Sequence, residues 1–174
     1  SMEESIYRSP GHCMVAGTAS TMSVISEAMG LTLKGAASIP AVDSRRLTLS
    51  NKTGQRIVEM VNENIRIENF LKKENFHNGI SALMSFGGST NAIIHMLAIA
   101  GRTKVGIDLE DFNKISEKTP VIANLKPAGE MLMEDLHYAG GVSGILKNIQ
   151  DLIYKEVITV SGEKISEIVN EAEI

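Results

Sequence analysis

Gly11-His12-Cys13-Met14-Val15-Ala16-Gly17-Thr18-Ala19-Ser20-Thr21-Met22, running on through Ser23-Val24-Ile25-Ser26-Glu27-Ala28-Met29-Gly30-Leu31, is the stretch on which the reading of this chain turns. It sets the only cysteine on a short loop between glycines, directly ahead of a segment with helical periodicity. Over residues 20–29, Met22, Ile25, Ala28 and Met29 fall on one face at helical spacing, and Gly30 stands where a helix stops. An isolated cysteine is most often a small buried hydrophobe. Here Pro10, Gly11 and His12 predict an exposed turn, and a helix N-terminus a few residues on favours a thiolate, so Cys13 is read as a candidate ligand.

Outward from this loop the chain reads as a series of helices. Residues 35–46, with Ala36-Ala37-Ser38-Ile39-Pro40, predict a connection over the surface or across a cleft. A helix is expected from Thr53 as its N-cap, with Ile57, Val58, Val61 and Ile65 as its apolar stripe. Residues 76–86 predict another (Phe76, Ile80, Leu83, Met84), Gly87-Gly88 interrupts, and residues 89–100 are apolar nearly all round, which predicts a buried helix. Asp108 and Asp111 open a helix carrying Leu109, Phe112 and Ile115, which Pro120 closes. Further helices are expected over residues 131–138, along Val142, Ile145, Leu146, Ile149, Leu152 and Ile153, and over residues 164–170. Residues 121–125 and 157–160 are the strand candidates.

Composition narrows the function classes. No repeat or linker divides the 174 residues, and 43% apolar content suffices for one core, so residues 1–174 are expected to form a single domain. Seventeen basic against 21 acidic residues, a formal charge of -4, make no strong field for nucleic acid or anionic lipid, which favours a small-molecule partner. One cysteine excludes an internal disulfide. The longest apolar run, near residues 92–100 and broken by His95, falls well short of the ~20 residues of a membrane span. The start Ser1-Met2-Glu3-Glu4-Ser5 lacks the order of a signal peptide, so a soluble cytoplasmic protein is expected.

Three further groups bear on chemistry. His12, His77, His95 and His137 include no closely spaced pair, and His95 on an apolar helix reads as a hydrogen-bonded core residue rather than a ligand. Gly87-Gly88-Ser89-Thr90-Asn91, opening a helix, has the form of an anion cradle, in which unpaired N–H groups and the helix dipole face a carboxylate or phosphate; its plain alternative is a tight turn with Ser89 as N-cap. Glu134, Asp135 and His137 have the residue types of an acid/base cluster, although neighbours on a helix point to different sides.

The stretch GHCMVAGTASTMSVISEAMGL resembles a cysteine motif of the dihydroxy-acid and sugar-acid dehydratase family. In the same order GGSTNAIIHMLAIA (residues 87–100), DLEDFNKIS (residues 108–116) and PVIANLKPAGEMLMEDLHYAGG (residues 120–141) resemble successive segments of that family's large N-terminal domain. The wording GHC and GTASTM is similar to the sugar-acid branch, the arabinonate and xylonate dehydratases; the branched-chain dihydroxy-acid branch reads closer to GMYTANTM.

The resemblance implies an α/β fold, a helix-rich section of a three-layer α/β/α domain with few short strands. It implies a hydro-lyase that uses an iron–sulfur cluster, 2Fe–2S rather than 4Fe–4S, and Mg2+ to convert a polyhydroxylated acid into a 2-keto-3-deoxy acid, in a cytoplasmic homo-oligomer. Cys13 matches a cluster ligand, and residues 87–91 are expected to shape the cleft near it. The family's early Cys-Asp-Lys motif, its further upstream cysteine, and the C-terminal serine base and metal-binding glutamate have no counterpart here. The chain is therefore expected to be an interior section of a longer subunit or a truncated product, inactive and without cofactor alone; an inactive association module is the alternative.

Overall fold

The computed structural model describes residues 11–173. Pro10 and the opening residues 1–5, on which two expectations rest, lie outside them. Among the described residues the chain forms α1 (Thr18–Ala28), α2 (Ser44–Asn62), α3 (Lys73–Phe86), α4 (Asn91–Thr103), α5 (Leu109–Ser116), α6 (Met133–Tyr138), α7 (Gly141–Asn148) and α8 (Ile165–Glu171). Single 3-10 turns cover Ile67–Asn69 and Gln150–Leu152.

The core is built around α3, whose Phe76, Ile80, Leu83 and Phe86 are all buried. Helix α1 packs on it with Val24, Ile25 and Ala28, while α7 and α8 add Val142, Ile145, Leu146, Ile165 and Val169. Gly79 permits the α1–α3 contact: a Cβ there would stand 2.8 Å from Met29 Cγ and 3.1 Å from Ile25 Cγ2. The two buried asparagine amides on α3 have partners despite their burial. Asn75 Nδ2 donates to Met29 O at the end of α1 (2.8 Å), and Asn78 donates to Tyr154 O (3.0 Å) while accepting the Tyr154 N–H (2.7 Å).

Helices dominate as expected, but the strand candidates do not become strands. Residues 121–125 and 157–160 make only isolated bridges, Leu125 with Met131 and Ile158 with Lys164. Each bridge closes a short local loop, and a ladder cannot grow without a second extended segment alongside. The fold among the described residues is helix-rich rather than visibly α/β.

Helix α4 is amphipathic, not buried. Only Ala92, Met96 and Ala100 are fully buried, with Ile93 and Leu97 partly so, whereas Ile94 is 68% exposed and His95 is exposed, so His95 is no core histidine. Helix α2 starts earlier than expected. Asp43 is its N-cap, accepting the Arg45 N–H (2.8 Å), and Thr53 lies inside it with its hydroxyl donating to Leu49 O (2.9 Å). The polar turns before Thr53 carry no apolar stripe, which hid them from a periodicity reading. The expected stripe faces outward: Ile57, Val58 and Val61 are 55%, 60% and 71% exposed, and Met60 is the buried residue of α2.

Arginines tether α2 to the rest of the fold. Arg56 donates to Val160 O (2.6 Å) and pairs with Glu63 (2.9 Å), and Arg46 donates to Ala36 O (2.8 Å) and Ile39 O. The long helix expected over residues 142–153 ends at Asn148 and continues as a 3-10 turn. Among the described residues no helix is long and apolar enough to cross a membrane.

Candidate functional site

The cysteine loop, residues 11–17, is fixed through its backbone and leaves its thiol exposed. Ala16 N–H donates to Lys126 O (2.7 Å), and Met133 N–H, at the start of α6, donates to Met14 O (2.9 Å). The fully buried Ser20 on α1 donates its hydroxyl to Val15 O (2.9 Å). His12 Nδ1 lies 2.9 Å from Cys13 O and 3.2 Å from Ser20 Oγ, so a proton on Nδ1 ties the imidazole to the loop. Gly17 is the N-cap of α1, and a Cβ there would stand 3.1 Å from Cys13 Sγ. The exposed thiol therefore rests against the N-terminal end of α1.

The turn at residues 87–91 packs against the same end of α1. Gly87, in the left-handed region (φ 69), ends α3, and Gly88 N–H donates to Leu83 O (3.2 Å). A Cβ on Gly88 would stand 2.6 Å from the Phe86 ring and 2.8 Å from Thr21 Cγ2, so only glycine allows this approach. Ser89 N–H donates to Thr21 Oγ1 (3.0 Å), Ser89 Oγ lies 3.2 Å from Thr18 Oγ1, and Asn91 Nδ2 donates to Thr18 Oγ1 (2.9 Å).

These bonds correct the picture of an open cradle. The N–H groups of Gly88, Ser89, Asn91 and Ala92 all donate within the chain, and the N-cap of α4 is Thr90 rather than Ser89. The turn braces the helix behind Cys13 instead of offering a row of free donors.

A cavity of about 420 Å3 opens beside the cysteine loop. It is lined by His12 and Met14, on either side of Cys13 in sequence, by Ser23 of α1, by residues 36–42, and by Arg46 and Glu134. Glu134, Asp135 and His137 diverge, as neighbours on a helix do. Glu134 faces this cavity, Asp135 accepts the Leu132 N–H (2.7 Å) at the start of α6, and His137 Nδ1 lies 3.1 Å from the buried Ser38 hydroxyl. Burial holds the His137 imidazole below its usual range. The remaining histidines are scattered; His77 stands 3.4 Å from Asp111 and against Tyr154, away from Cys13.

Sequence reading overlooked Glu27. Its side chain is buried under residues 35–38, with Oε1 accepting the Gly35 N–H and Oε2 the Ala37 N–H, both at 2.8 Å. Burial pushes this carboxyl up from 4.5 to about 7, outweighing the two N–H donors and the more distant charges of Arg46 and Lys34. One signal was available: Glu27 falls at helical spacing from Ser20 and Val24, on the face that turns inward.

An iron–sulfur cluster needs several thiolates. Among the described residues Cys13 is the only cysteine, and no three His, Cys, Asp or Glu side chains come close enough to hold a metal ion. The residues present fit the supply of one thiolate and do not by themselves complete a cluster site.

Known proteins match the chain along nearly its whole length. The profile of the dihydroxy-acid/6-phosphogluconate dehydratase N-terminal family covers residues 1–168. An IlvD1 protein of Rhizobium meliloti (strain 1021) is 51% identical over 99% of this chain and 30% of its own length. A dihydroxy-acid dehydratase of Sulfurisphaera tokodaii is 43% identical over 95% of this chain and 30% of its own length. An L-arabinonate dehydratase of Rhizobium leguminosarum bv. trifolii is 44% identical over 94% and 28%. The chain thus spans about 30% of the length of the curated relatives it matches. Matched over the cysteine loop, the braced α1 and the turn alike, this chain belongs to the dihydroxy-acid/6-phosphogluconate dehydratase family, as a section of its N-terminal part.

Proposed function

We propose that this chain is a section of a hydro-lyase that removes water from a polyhydroxylated acid, in which Cys13 supplies one thiolate of an iron–sulfur cluster. One observation carries the reading: an exposed thiol on a backbone-pinned loop, at a helix N-terminus, with its sequence neighbours His12 and Met14 lining a cavity of about 420 Å3. In the reaction a base removes the proton from C2, hydroxide leaves C3, and the enol tautomerises to a 2-keto-3-deoxy acid, with one water released. The bound cluster, a 2Fe–2S centre in this reading, together with Mg2+, supplies the Lewis acidity that makes the 3-hydroxyl a leaving group.

What this chain's own residues do is hold and shape. Ser20, Lys126 and Met133 fix the backbone on which the thiol stands, and the Thr21–Ser89 bond holds α1 behind it. The base and the Mg2+ ligands belong to parts of a full-length protein outside this sequence, so the chain alone is inactive and holds no cluster. The helices form the helical share of a three-layer α/β/α domain, in a single domain and a cytoplasmic setting. A sugar acid such as arabinonate or xylonate is the favoured substrate, on the wording of Gly11-His12-Cys13 and Thr18-Ala19-Ser20-Thr21-Met22. A branched-chain dihydroxy acid is the alternative, since relatives of both names match this chain.

In a full-length protein carrying this section, Cys13→Ser abolishes both the cluster absorbance and dehydration of arabinonate. Full activity in that variant removes Cys13 from the site, and turnover of 2,3-dihydroxyisovalerate instead of arabinonate reassigns the branch. The outward apolar stripe of α2 favours a second property, self-association through that face.

A further inference from the structure

Within residues 35–42, residues 36–42 form one wall of the cavity beside the cysteine loop, and they press against that loop so closely that a Cβ on Gly11 would stand 3.0 Å from Ala41 Cβ. Side chains from three helices grip this wall. Glu27 of α1 accepts the N–H groups of Gly35 and Ala37, Arg46 of α2 donates to the carbonyls of Ala36 and Ile39, and His137 of α6 meets the Ser38 hydroxyl. Glu27 lies buried beneath the wall, and its edge reaches a second cavity of about 370 Å3 on the side of Lys34 and Glu171.

The charges around Glu27 leave its carboxylate without a paired cation. Lys34 is drawn off to Glu171 (3.2 Å), the Arg46 guanidinium is spent on backbone carbonyls, and Glu171 and Glu173 face the same side with charge of the wrong sign. Burial lowers the His137 imidazole, whose ring nitrogen meets the Ser38 hydroxyl rather than Glu27. Among the described residues no cation lies within ion-pair distance of Glu27. Burial disfavours a charged carboxylate that lacks a paired cation more than it disfavours the neutral acid, and water is the stronger partner for the ion.

We propose that residues 35–42 are a proton-controlled wall of the cavity, closed over neutral Glu27 and lifted when Glu27 ionises and draws water. The Glu27 carboxyl, raised from 4.5 to about 7 under the closed wall, spreads this change over the interval between those two values. Opening restores an ordinary carboxyl, so the closed wall binds the proton more tightly, and raising the pH favours the open one. This device is a property of the chain itself and does not depend on the reaction proposed above.

Amide hydrogen exchange on this chain, corrected for the intrinsic pH dependence of exchange, tests the proposal. Protection of the Gly35 and Ala37 amides is expected to fall at least tenfold between pH 5 and 8, beyond any fall at Val24 and Ile25 of α1. Glu27→Gln removes the extra fall, while His137→Gln keeps it. An equal fall at the α1 amides overturns the proposal, as does a fall confined to the wall that persists in Glu27→Gln. Should Glu27→Gln not fold, the side-chain carboxyl of Glu27 in the unmodified chain, followed by carbon-13 shift, decides. The Gly35 and Ala37 amide shifts must change with the same midpoint, and a flat response while the carboxyl titrates refutes the wall.

Discussion

The backbone N–H of Ser89 donates to Thr21 Oγ1 at 3.0 Å, joining residues 68 apart in sequence and tying the turn before α4 to the first turns of α1, directly behind Cys13. Thr21 is fully buried and Ser89 half-buried, so losing Thr21 Oγ1 leaves the Ser89 donor without its partner in the chain. Thr21→Val is expected to destabilise the chain by about 1–2 kcal/mol, with Thr21→Ser restoring most of the loss, read from urea midpoints. Equal midpoints for wild type and Thr21→Val reduce the bond to incidental contact.

Gly88 and Asn91, on the same turn, should differ sharply in their response to substitution. A side chain at Gly88 meets the Phe86 ring and Thr21 at separations no real Cβ tolerates, so Gly88→Val is expected to cost about 3 kcal/mol. Asn91 is exposed, and Asn91→Ala loses only its bond to Thr18, about 1 kcal/mol or less. In a full-length protein Gly88→Val should lower activity more than Asn91→Ala. A larger loss from Asn91→Ala points to direct use of its amide.

Glu27 should impress a pH dependence on global stability. Its folded carboxyl, at about 7, lies above the unfolded value of 4.5, so the folded state keeps a proton that the unfolded state releases. The stabilisation is complete below about pH 4.5 and is lost as pH rises to about 7, by up to about 3 kcal/mol, with no further change above. Comparing urea midpoints of wild type and Glu27→Gln at pH 5 and pH 8 isolates this contribution; parallel pH profiles contradict it.

The outward stripe on α2 predicts association without a stability cost. Val58 and Val61 are more than half exposed, so replacing both with lysine should leave the thermal midpoint within about 2 °C while shifting sedimentation toward monomer. A wild-type chain that sediments as a monomer at high concentration leaves the face without a copy of itself to cover it.

Local periodicity by itself determined much of the helical framework. The apolar repeats Ile25, Ala28, Met29 and Phe76, Ile80, Leu83 mark the buried faces of α1 and α3, because a residue every three or four positions meets the core whatever lies beyond. The glycines around Cys13 and at Gly87-Gly88 were legible as turns for an equally local reason, the backbone freedom those positions need. Only the tertiary structure decided which apolar residues of α2 and α4 stay outside. A helix records its own periodicity and carries no record of how many neighbours will pack on it, so Val58, Val61 and Ile94 read as core and lie in solvent. The same holds for polar function. The bracing of α1 by Ser89, the clasp of Glu27 on Gly35 and Ala37 and the pairing of Ser38 with His137 bring together residues from different turns of the chain, and hydrogen bonds acting over about 3 Å leave no periodic trace in sequence.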